Sequence, residues 1–248
     1  MPPPPEAAPA SSLQVIAMHG WAGDGLGWDV LRRDLTAPGW HWSCGERGYG
    51  GRTPGLPAWA PSGRRLLIGH SMGPHLLPPS LLAQAEAVVL LASFARFVPP
   101  GREGRRLQKA LAGMAAQLEE GPEEHESAQR AQQLLQTFLQ QAAAPDPPEL
   151  LPRGPASRPV GPEGRRRLRQ DLDRLAASED LPPGFPGAVP VLIVEGGADR
   201  IVGPEARALL RDRLPQAEVL SFEGAGHCLL QAPLASELRR WIGRTLGG

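Results

Sequence analysis

The amino-acid sequence predicts a single α/β domain in which helices cover a mostly parallel central sheet. Two patterns lead to this prediction. Short apolar runs recur along the 248 residues and are continuous rather than alternating, which is typical of strands buried on both faces. Helix-compatible segments lie between these runs, and strands that alternate with helices build parallel sheets. A chain of this length buries about three quarters of its unfolded surface, so a complete core is available.

Five apolar runs are predicted strands, and two segments between them are predicted helices. The strands lie at residues 15–18, 66–68, 88–91, 191–194 and 218–222. The helices lie at 26–35 and at 204–214, and the second has a proline at its start, where the missing N–H costs nothing.

Residues 98–186, here called the lid segment, break this alternation because they contain no convincing strand. Helix-like stretches lie at 103–119, 123–143 and 163–177, separated by proline-rich stretches at 145–148 and 152–162. We therefore expect a helical lid inserted into a core formed by residues 13–97 and 187–248. Its apolar stripe over residues 131–139 also has a plainer interpretation, in which it only packs on the core.

The amino terminus and the composition exclude several classes of protein. Residues 1–12 are rich in proline and alanine and are expected to form a disordered leader that lacks the features of a secretory signal. Two cysteines are too few for a disulfide framework, and no apolar run reaches the roughly 18 residues of a membrane span. We expect a monomer in the cytoplasm.

The charge balance and the missing motifs limit the partners. The chain has 26 basic and 26 acidic residues, which does not favour nucleic acid or an anionic membrane as a partner. It has neither a cluster of residues with metal-ligand spacing nor a glycine-rich phosphate loop, so we expect no metal and no cofactor.

A nucleophile motif follows the second of these predicted strands. The run Gly69-His70-Ser71-Met72-Gly73 has the pattern G-x-S-x-G, and residues that can begin a helix follow it. In this context the serine sits on a sharp turn, where glycines allow neighbouring backbones to approach closely. Ser71 is therefore the candidate nucleophile, and it needs a base and a carboxylate that orients the base.

Both partners occur downstream, each after a predicted strand. Asp199 follows the strand at 191–194, and His227 follows the strand at 218–222. The order serine, aspartate, histidine, with a long first gap that admits a lid, is the order that this motif requires. Ser71, Asp199 and His227 are thus the predicted catalytic triad.

Two backbone N–H groups are expected to form an oxyanion hole, which stabilises the negative charge that develops on a carbonyl oxygen. Met72 follows the nucleophile and Trp21 follows the first strand, and these are the two positions that supply such donors. His19 is interpreted as shaping the loop that follows the first strand and carries Trp21, here called the oxyanion loop. His70 and His75 are interpreted as structural.

Five motifs carry a family resemblance: His19-Gly20-Trp21-Ala22-Gly23, Gly69-His70-Ser71-Met72-Gly73, Leu90-Leu91-Ala92-Ser93-Phe94, Gly196-Gly197-Ala198-Asp199 and Gly226-His227. Over residues 13–246 the chain resembles the α/β-hydrolase superfamily, and within it the pimeloyl-acyl-carrier-protein methyl ester esterases of biotin synthesis. The resemblance implies that Ser71, Asp199 and His227 form the triad, and that Trp21 and Met72 form the oxyanion hole. It also implies that Trp21 lines an acyl pocket.

The resemblance further implies that arginines of the lid bind an acidic acyl carrier protein. Arg165, Arg166 and Arg169 are the candidates, and a simple solvated helix face is the alternative. The chain departs from the family where Pro78 and Pro79 follow the nucleophile, and these prolines should shorten or kink the helix there.

The predicted activity is hydrolysis of an acyl methyl ester by a serine carboxylesterase through an acyl-enzyme. Two alternatives remain open. The same triad serves thioesterases, C–C hydrolases and lyases, because one fold hosts many reactions. A non-catalytic binding homologue with a closed pocket would also keep these residues.

Overall fold

The computed structural model describes residues 12–247, and six parallel strands form its central sheet. The strands are β1 Leu13–Met18, β2 Trp40–Cys44, β3 Arg64–His70, β4 Ala87–Leu91, β5 Val191–Gly196 and β6 Glu218–Phe222, in the spatial order β2-β1-β3-β4-β5-β6. Every neighbouring pair is parallel. This confirms the predicted α/β architecture.

The edge strand β2 was not predicted from the sequence. Its residues Trp40 to Cys44 alternate between aromatic and polar side chains and are only partly buried. An edge strand pairs on one side alone, here with β1, and so it lacks the continuous apolar run that marks the central strands.

Alternate residues of each strand face opposite sides of the sheet, and each side has its own core. Ile16, Leu67, Val88 and Ile193 belong to one cluster, which also includes buried side chains of the lid segment. The other cluster contains their strand neighbours together with the first and last helices of the core. The sheet is therefore covered on both faces.

Between residues 12 and 247, seven α-helices flank the sheet. They are α1 Asp29–Leu35, α2 Pro79–Leu82, α3 Gly101–Gln117, α4 Glu124–Ala143, α5 Pro162–Ala176, α6 Pro204–Arg213 and α7 Leu234–Ile242, with short 3₁₀ turns at Gly25–Trp28, Gly73–Leu76, Pro148–Leu150 and Pro155–Ser157 and a π turn at Gly243–Gly247. The helix predicted at 26–35 thus begins as a 3₁₀ turn, because Asp24 caps it and accepts from the backbone N–H groups of Leu26 and Gly27.

The prolines after the nucleophile shorten the helix there, as the sequence predicts. A 3₁₀ turn spans only Gly73–Leu76, with Leu77 as its C-cap. Helix α2 then spans only four residues from Pro79. A proline inside a helix removes a donor and clashes with the preceding turn, which accounts for the break.

The lid segment contains three longer helices, α3, α4 and α5, which contact one another. In the described residues no helix is long and apolar enough to cross a membrane. The predicted disordered leader lies outside the described part of the chain except for Ser12, whose carbonyl accepts a hydrogen bond from the backbone N–H of Arg64 at 2.9 Å.

Candidate active site

The predicted site residues all follow strands at the carboxyl edge of the sheet. Trp21 comes after β1, Ser71 after β3, Asp199 after β5 and His227 after β6. The carboxyl ends of parallel strands meet at one edge, so strand order alone brings these four residues to the same side of the molecule.

The backbone is strained at this edge. In the part of the chain that the structure describes, four non-glycine residues have positive φ angles: Ala22 at 63°, Ser71 at 54°, Ala92 at 45° and Leu229 at 51°. Such conformations cost free energy and persist only where the surrounding structure enforces them, and they concentrate at functional sites. Ala22 follows Trp21, Ala92 follows β4, and Leu229 lies two residues after His227.

The turn at Ser71 is held by close backbone contacts. The Ser71 N–H donates to the carbonyl of Leu91 at 2.8 Å, and the hydroxyl of Ser93 donates to the Ser71 carbonyl at 2.6 Å. A Cβ at Gly20 would lie 2.8 Å from the Ser71 Cβ, and one at Gly73 would collide with the carbonyl of Met18. Glycine is therefore required at both positions, and the serine is fixed beneath the loop that follows β1.

Asp199 and His227 form a buried pair. His227 Nδ1 lies 2.9 Å from Asp199 Oδ2, while Asp199 Oδ1 accepts from the backbone N–H groups of Ile201 at 2.7 Å and Val202 at 3.0 Å. Burial raises the pKa of the carboxyl, but the hydrogen bond and charge of His227, with the two N–H donors, outweigh it and lower the pKa below its usual value. Asp199 is thus a carboxylate that orients the imidazole.

Ser71 and His227 lie in the same region without a direct hydrogen bond. Ser71 is 4% exposed and His227 is 2% exposed. Among the described residues, Ser71 Oγ makes no hydrogen bond to His227 Nε2. Catalytic hydrogen bonds are often long without substrate and shorten in the substrate complex.

The oxyanion donors are available. Within the described part of the chain, the backbone N–H groups of Trp21 and Met72 have no acceptor. The Trp21 side chain is held in place, because its indole N–H donates to the carbonyl of Leu168 at 2.9 Å and its ring meets Phe138 edge-on at 4.8 Å. Two fixed N–H groups next to a nucleophile can stabilise an oxyanion.

His70 supports the loop that carries His227. Its Nε2 lies 3.0 Å from the His227 carbonyl oxygen, and since a carbonyl only accepts, Nε2 carries the proton. Burial, with the nearby His227 charge, lowers the pKa of His70 to about 4, so the ring is neutral at ordinary pH. His70 thus has a structural role, which is to hold the loop of His227 through its backbone carbonyl.

His19 links the oxyanion loop to a buried ion pair that the sequence did not reveal. Its Nδ1 donates to the Gly20 carbonyl at 2.8 Å, and its Nε2 accepts from the Arg47 N–H at 3.3 Å. The Arg47 guanidinium makes two hydrogen bonds of 2.8 and 2.7 Å to Asp171, which also accepts from the Tyr49 hydroxyl at 2.6 Å.

Asp171 lies on α5 and is completely buried. It is three residues after Leu168 and one before Leu172, so it occupies the apolar face of that helix. A charged residue on an apolar face is the signal that could have identified it, because buried charges need a partner.

The structure corrects one predicted docking residue. Arg165 is 1% exposed, pairs with both oxygens of Glu124 at 2.8 and 2.6 Å, and donates to the carbonyl of Val160. A side chain held in this way cannot reach another protein. Arg166 and Arg169 are exposed and pair with Glu163 and Glu119 respectively, so their predicted role remains a prediction.

A cavity of about 540 Å³ adjoins the site. Gly20, His70 and His227 lie in its wall, and Trp21 lines it as well, whereas Ser71 does not. Its wall is otherwise mainly apolar and comes from α1, α4, the turn at Pro148–Leu150 and the start of α7. The cavity thus meets the triad on the side of the base and the oxyanion loop. Among the described residues, no cluster could hold a metal ion.

Comparisons with known proteins define the fold. No protein-family model matches the chain, and no curated protein matches it significantly. Solved structures do match. An esterase from Exiguobacterium antarcticum is 18% identical with a TM-score of 0.69, and the match covers 96% of this chain and 93% of that chain. A bromoperoxidase from Bacillus anthracis is 17% identical with a TM-score of 0.64, and the match also covers 96% of this chain and 93% of that chain. The thioesterase domain from the curacin biosynthetic pathway matches at 18% and 0.56, covering 95% and 92%. The chain therefore has the α/β-hydrolase fold.

Proposed function

We propose that the protein is a serine carboxylesterase with Ser71 as nucleophile, His227 as base and Asp199 as orienting carboxylate. The observation that carries this proposal is the buried pair of His227 and Asp199 at 2.9 Å, on the same sheet edge as a serine with a φ of 54°. Esterases among the structural neighbours support the same reaction class.

In the proposed reaction, His227 Nδ1–H donates to Asp199, which leaves Nε2 free to accept the Ser71 proton. Ser71 Oγ attacks the ester carbonyl, and the N–H groups of Trp21 and Met72 stabilise the oxyanion. The C–O bond of the ester breaks, and the alcohol leaves with the proton from His227. Water then gives a proton to His227 and attacks the acyl-enzyme carbonyl. The bond between the acyl carbon and Ser71 Oγ breaks, His227 returns the proton to Ser71 Oγ, and the acid is released.

The methyl ester of pimeloyl-acyl carrier protein is the particular substrate that we propose, and biotin synthesis in the cytoplasm is the corresponding role. The sequence motifs around Trp21, Ser71 and His227 support it. With Arg165 excluded, Arg166 and Arg169 on α5 are the residues proposed to dock the carrier.

The test compares carrier-linked and free methyl esters of several acyl lengths. The proposal expects methanol release from both, with a higher kcat/KM for the carrier-linked pimeloyl ester. Reversal of Arg166 and Arg169 to Glu should lower only the rate on the carrier-linked ester, while Arg64→Glu, at the exposed amino end of β3 and outside the cavity wall, should change neither rate. If no ester is cleaved, the esterase proposal is wrong. If both esters react equally in all variants, the carrier proposal is wrong.

Two other candidates have specific support. Thioester hydrolysis uses the same acyl-enzyme, and a thioesterase domain is among the structural neighbours. A binding protein without activity would agree with the missing hydrogen bond between Ser71 and His227 and with the absence of Ser71 from the cavity wall. Rates on a panel of oxygen esters and thioesters distinguish thioester hydrolysis from ester hydrolysis. Labelling of Ser71 by a fluorophosphonate excludes a binding protein without activity.

A further inference from the structure

The cavity beside the triad has a distinctive charge composition. Its wall contains two carboxylates, Asp24 and Asp34, and no lysine or arginine. Most of the other lining residues are apolar, including several leucines and the rings of Trp28 and Phe138. An anionic group placed here would meet like charge in an apolar surrounding without a cation to pair with it.

Asp24 is the buried carboxylate of the two. It is 8% exposed, whereas Asp34 is exposed on α1 and pairs with Arg33. Asp24 Oδ1 accepts from the backbone N–H groups of Leu26 at 3.0 Å and Gly27 at 3.3 Å. These bonds are those of a helix cap and use one oxygen only.

The second oxygen of Asp24 has no hydrogen-bond donor among the residues that the structure describes. It faces Gly154, where a Cβ would lie 3.9 Å away, and both residues line the cavity. Burial and the nearby charge of Glu46 raise the pKa of this carboxyl. This oxygen is accessible from the cavity, so a ligand that supplies a donor would be stabilised there by a hydrogen bond to a carboxylate.

Trp28 adds an aromatic ring to the same wall. Its Nε1 is buried without an acceptor in the described part of the chain and is closed to a ligand in the cavity, so Asp24 supplies the polar group. Pockets that select a ligand typically combine an apolar wall with a few polar groups that fix its orientation.

We propose that the cavity binds the part of the substrate remote from the reacting carbonyl, and that this part is an apolar chain carrying a hydroxyl or ammonium group that donates to Asp24 Oδ2. The inference rests on the proposed esterase function but not on the carrier-linked substrate, and it names an alternative substrate class for the same site. The ester enters beside His227 and Gly20, its apolar chain lies along the leucine wall, and its donor group meets Asp24. Esters with a free carboxylate on that chain are excluded by charge.

The first test uses methyl esters whose acyl chains, at several lengths, end in methyl, hydroxyl, ammonium or carboxylate. At the best length, the hydroxyl or ammonium ester should exceed the methyl ester in kcat/KM by about tenfold or more, since hydrogen bonds to a charged group are strong. The carboxylate ester should be the poorest substrate. Preference for ammonium over hydroxyl would show that the ligand group is cationic, and the reverse order would show that it is neutral.

Asp24→Asn isolates the second oxygen, because asparagine also caps helices but replaces one carboxylate oxygen by an amide nitrogen. The preference for donor-bearing esters should disappear in this variant. Asp29→Asn removes an exposed carboxylate from the first turn of α1, outside the cavity wall, and should leave the preference unchanged. Equal rates for methyl and hydroxyl esters at every length in the wild type, or an unchanged preference in Asp24→Asn, would overturn the inference.

A binding measurement separates this inference from the proposed function. In Ser71→Ala, which cannot form an acyl-enzyme, long-chain diols should bind about tenfold more tightly than alkanols of equal length, as measured by their effect on Tm. If no ester is hydrolysed but the diols bind preferentially, the esterase proposal fails and the cavity assignment stands. If diols and alkanols bind equally, the cavity assignment fails whatever the enzyme hydrolyses.

Discussion

Among single residues, His70 is next to the proposed nucleophile, Ser71, and supports the loop of the proposed base, His227. Its N–H holds the carbonyl of His227, and its ring centroid lies 4.8 Å from that of His227. Because the contact is to the backbone, it fixes the loop and leaves the His227 imidazole free to bond with Asp199. Burial, together with the nearby charge of His227, places a cost on protonation of His70, and this hydrogen bond offsets only part of that cost.

That cost predicts how stability depends on pH. The pKa of histidine in an unfolded chain is about 6.5, and that of His70 in the folded protein is about 4. Between these values the unfolded state binds more protons, so the free energy of unfolding falls as the pH is lowered from about 6.5. At pH 5 the wild type should lose about 2 kcal/mol through this residue, and His70→Gln should not.

Urea unfolding at pH 7.5 and pH 5 measures this difference. The pKa values of His19 and His75 are also lowered by burial, so both proteins lose some stability on acidification. His227 and Asp199 face His70 in both proteins, and the comparison therefore isolates His70. Equal losses in the wild type and in His70→Gln would contradict the interpretation.

Among the secondary-structure elements, α5 is the one that braces the oxyanion loop. Its Leu168 carbonyl accepts from the Trp21 indole, and its Asp171 binds Arg47, whose backbone N–H meets His19. Helix α5 is therefore connected to the oxyanion loop twice, once through the Trp21 side chain and once through Arg47 and His19. Loss of either link should affect the oxyanion loop.

Asp171→Asn tests this bracing. The substitution leaves the Arg47 charge without its partner, and breaking a buried ion pair in this way costs about 3–5 kcal/mol. Arg47 is partly exposed, so a value near the lower limit is expected, together with a reduced kcat. Asp173→Asn, at an exposed position on the same helix, should change the free energy of unfolding by about 0.5 kcal/mol or less. Similar losses in the two variants, measured by urea unfolding, would argue against the bracing role.

The end of α4 packs against the loop that carries His227. The Cys228 N–H donates to the carbonyl of Ala142 at 3.2 Å, and a Cβ at Gly226 would collide with the carbonyl of Ala144. Gly226→Ala must therefore displace the loop, and a shift of about 1 Å in a catalytic group can lower the rate about 100-fold.

Gly224→Ala is the matched control, because a Cβ there meets nothing within 4 Å. We expect kcat/KM for a chromogenic ester to fall about 100-fold in Gly226→Ala and to stay within a few-fold of the wild type in Gly224→Ala. A Gly226→Ala enzyme with full activity would show that this contact does not position His227.

For the whole molecule, the sequence predicts what local signals encode and misses what folding alone brings together. Continuous apolar runs identify the central strands, and each motif lies at the end of a strand, so the fold and the common edge of Ser71, Asp199 and His227 follow from the sequence. The edge strand β2 has no such run. The burial of Arg165 and the ion pair of Arg47 with Asp171 depend on contacts between residues far apart in the chain, 124 residues in the second case. No local pattern reports these contacts.

The cavity also could not be predicted from local sequence patterns. Its wall combines residues from α1, α4, α7 and the loops beside the triad, and only the assembled fold shows that Asp24 faces it. A motif at residues 69–73 indicates a reaction class, whereas the substrate depends on this assembled surface.

The most direct measurement of the central claim is intact-mass analysis after reaction with a fluorophosphonate, for the wild type and for Ser71→Ala. We expect one adduct on the wild type, located at Ser71, and none on Ser71→Ala, with slower labelling in Asp199→Asn because the imidazole is no longer oriented by a carboxylate. A wild-type protein that forms no adduct, or equal labelling of Ser71→Ala, would contradict it.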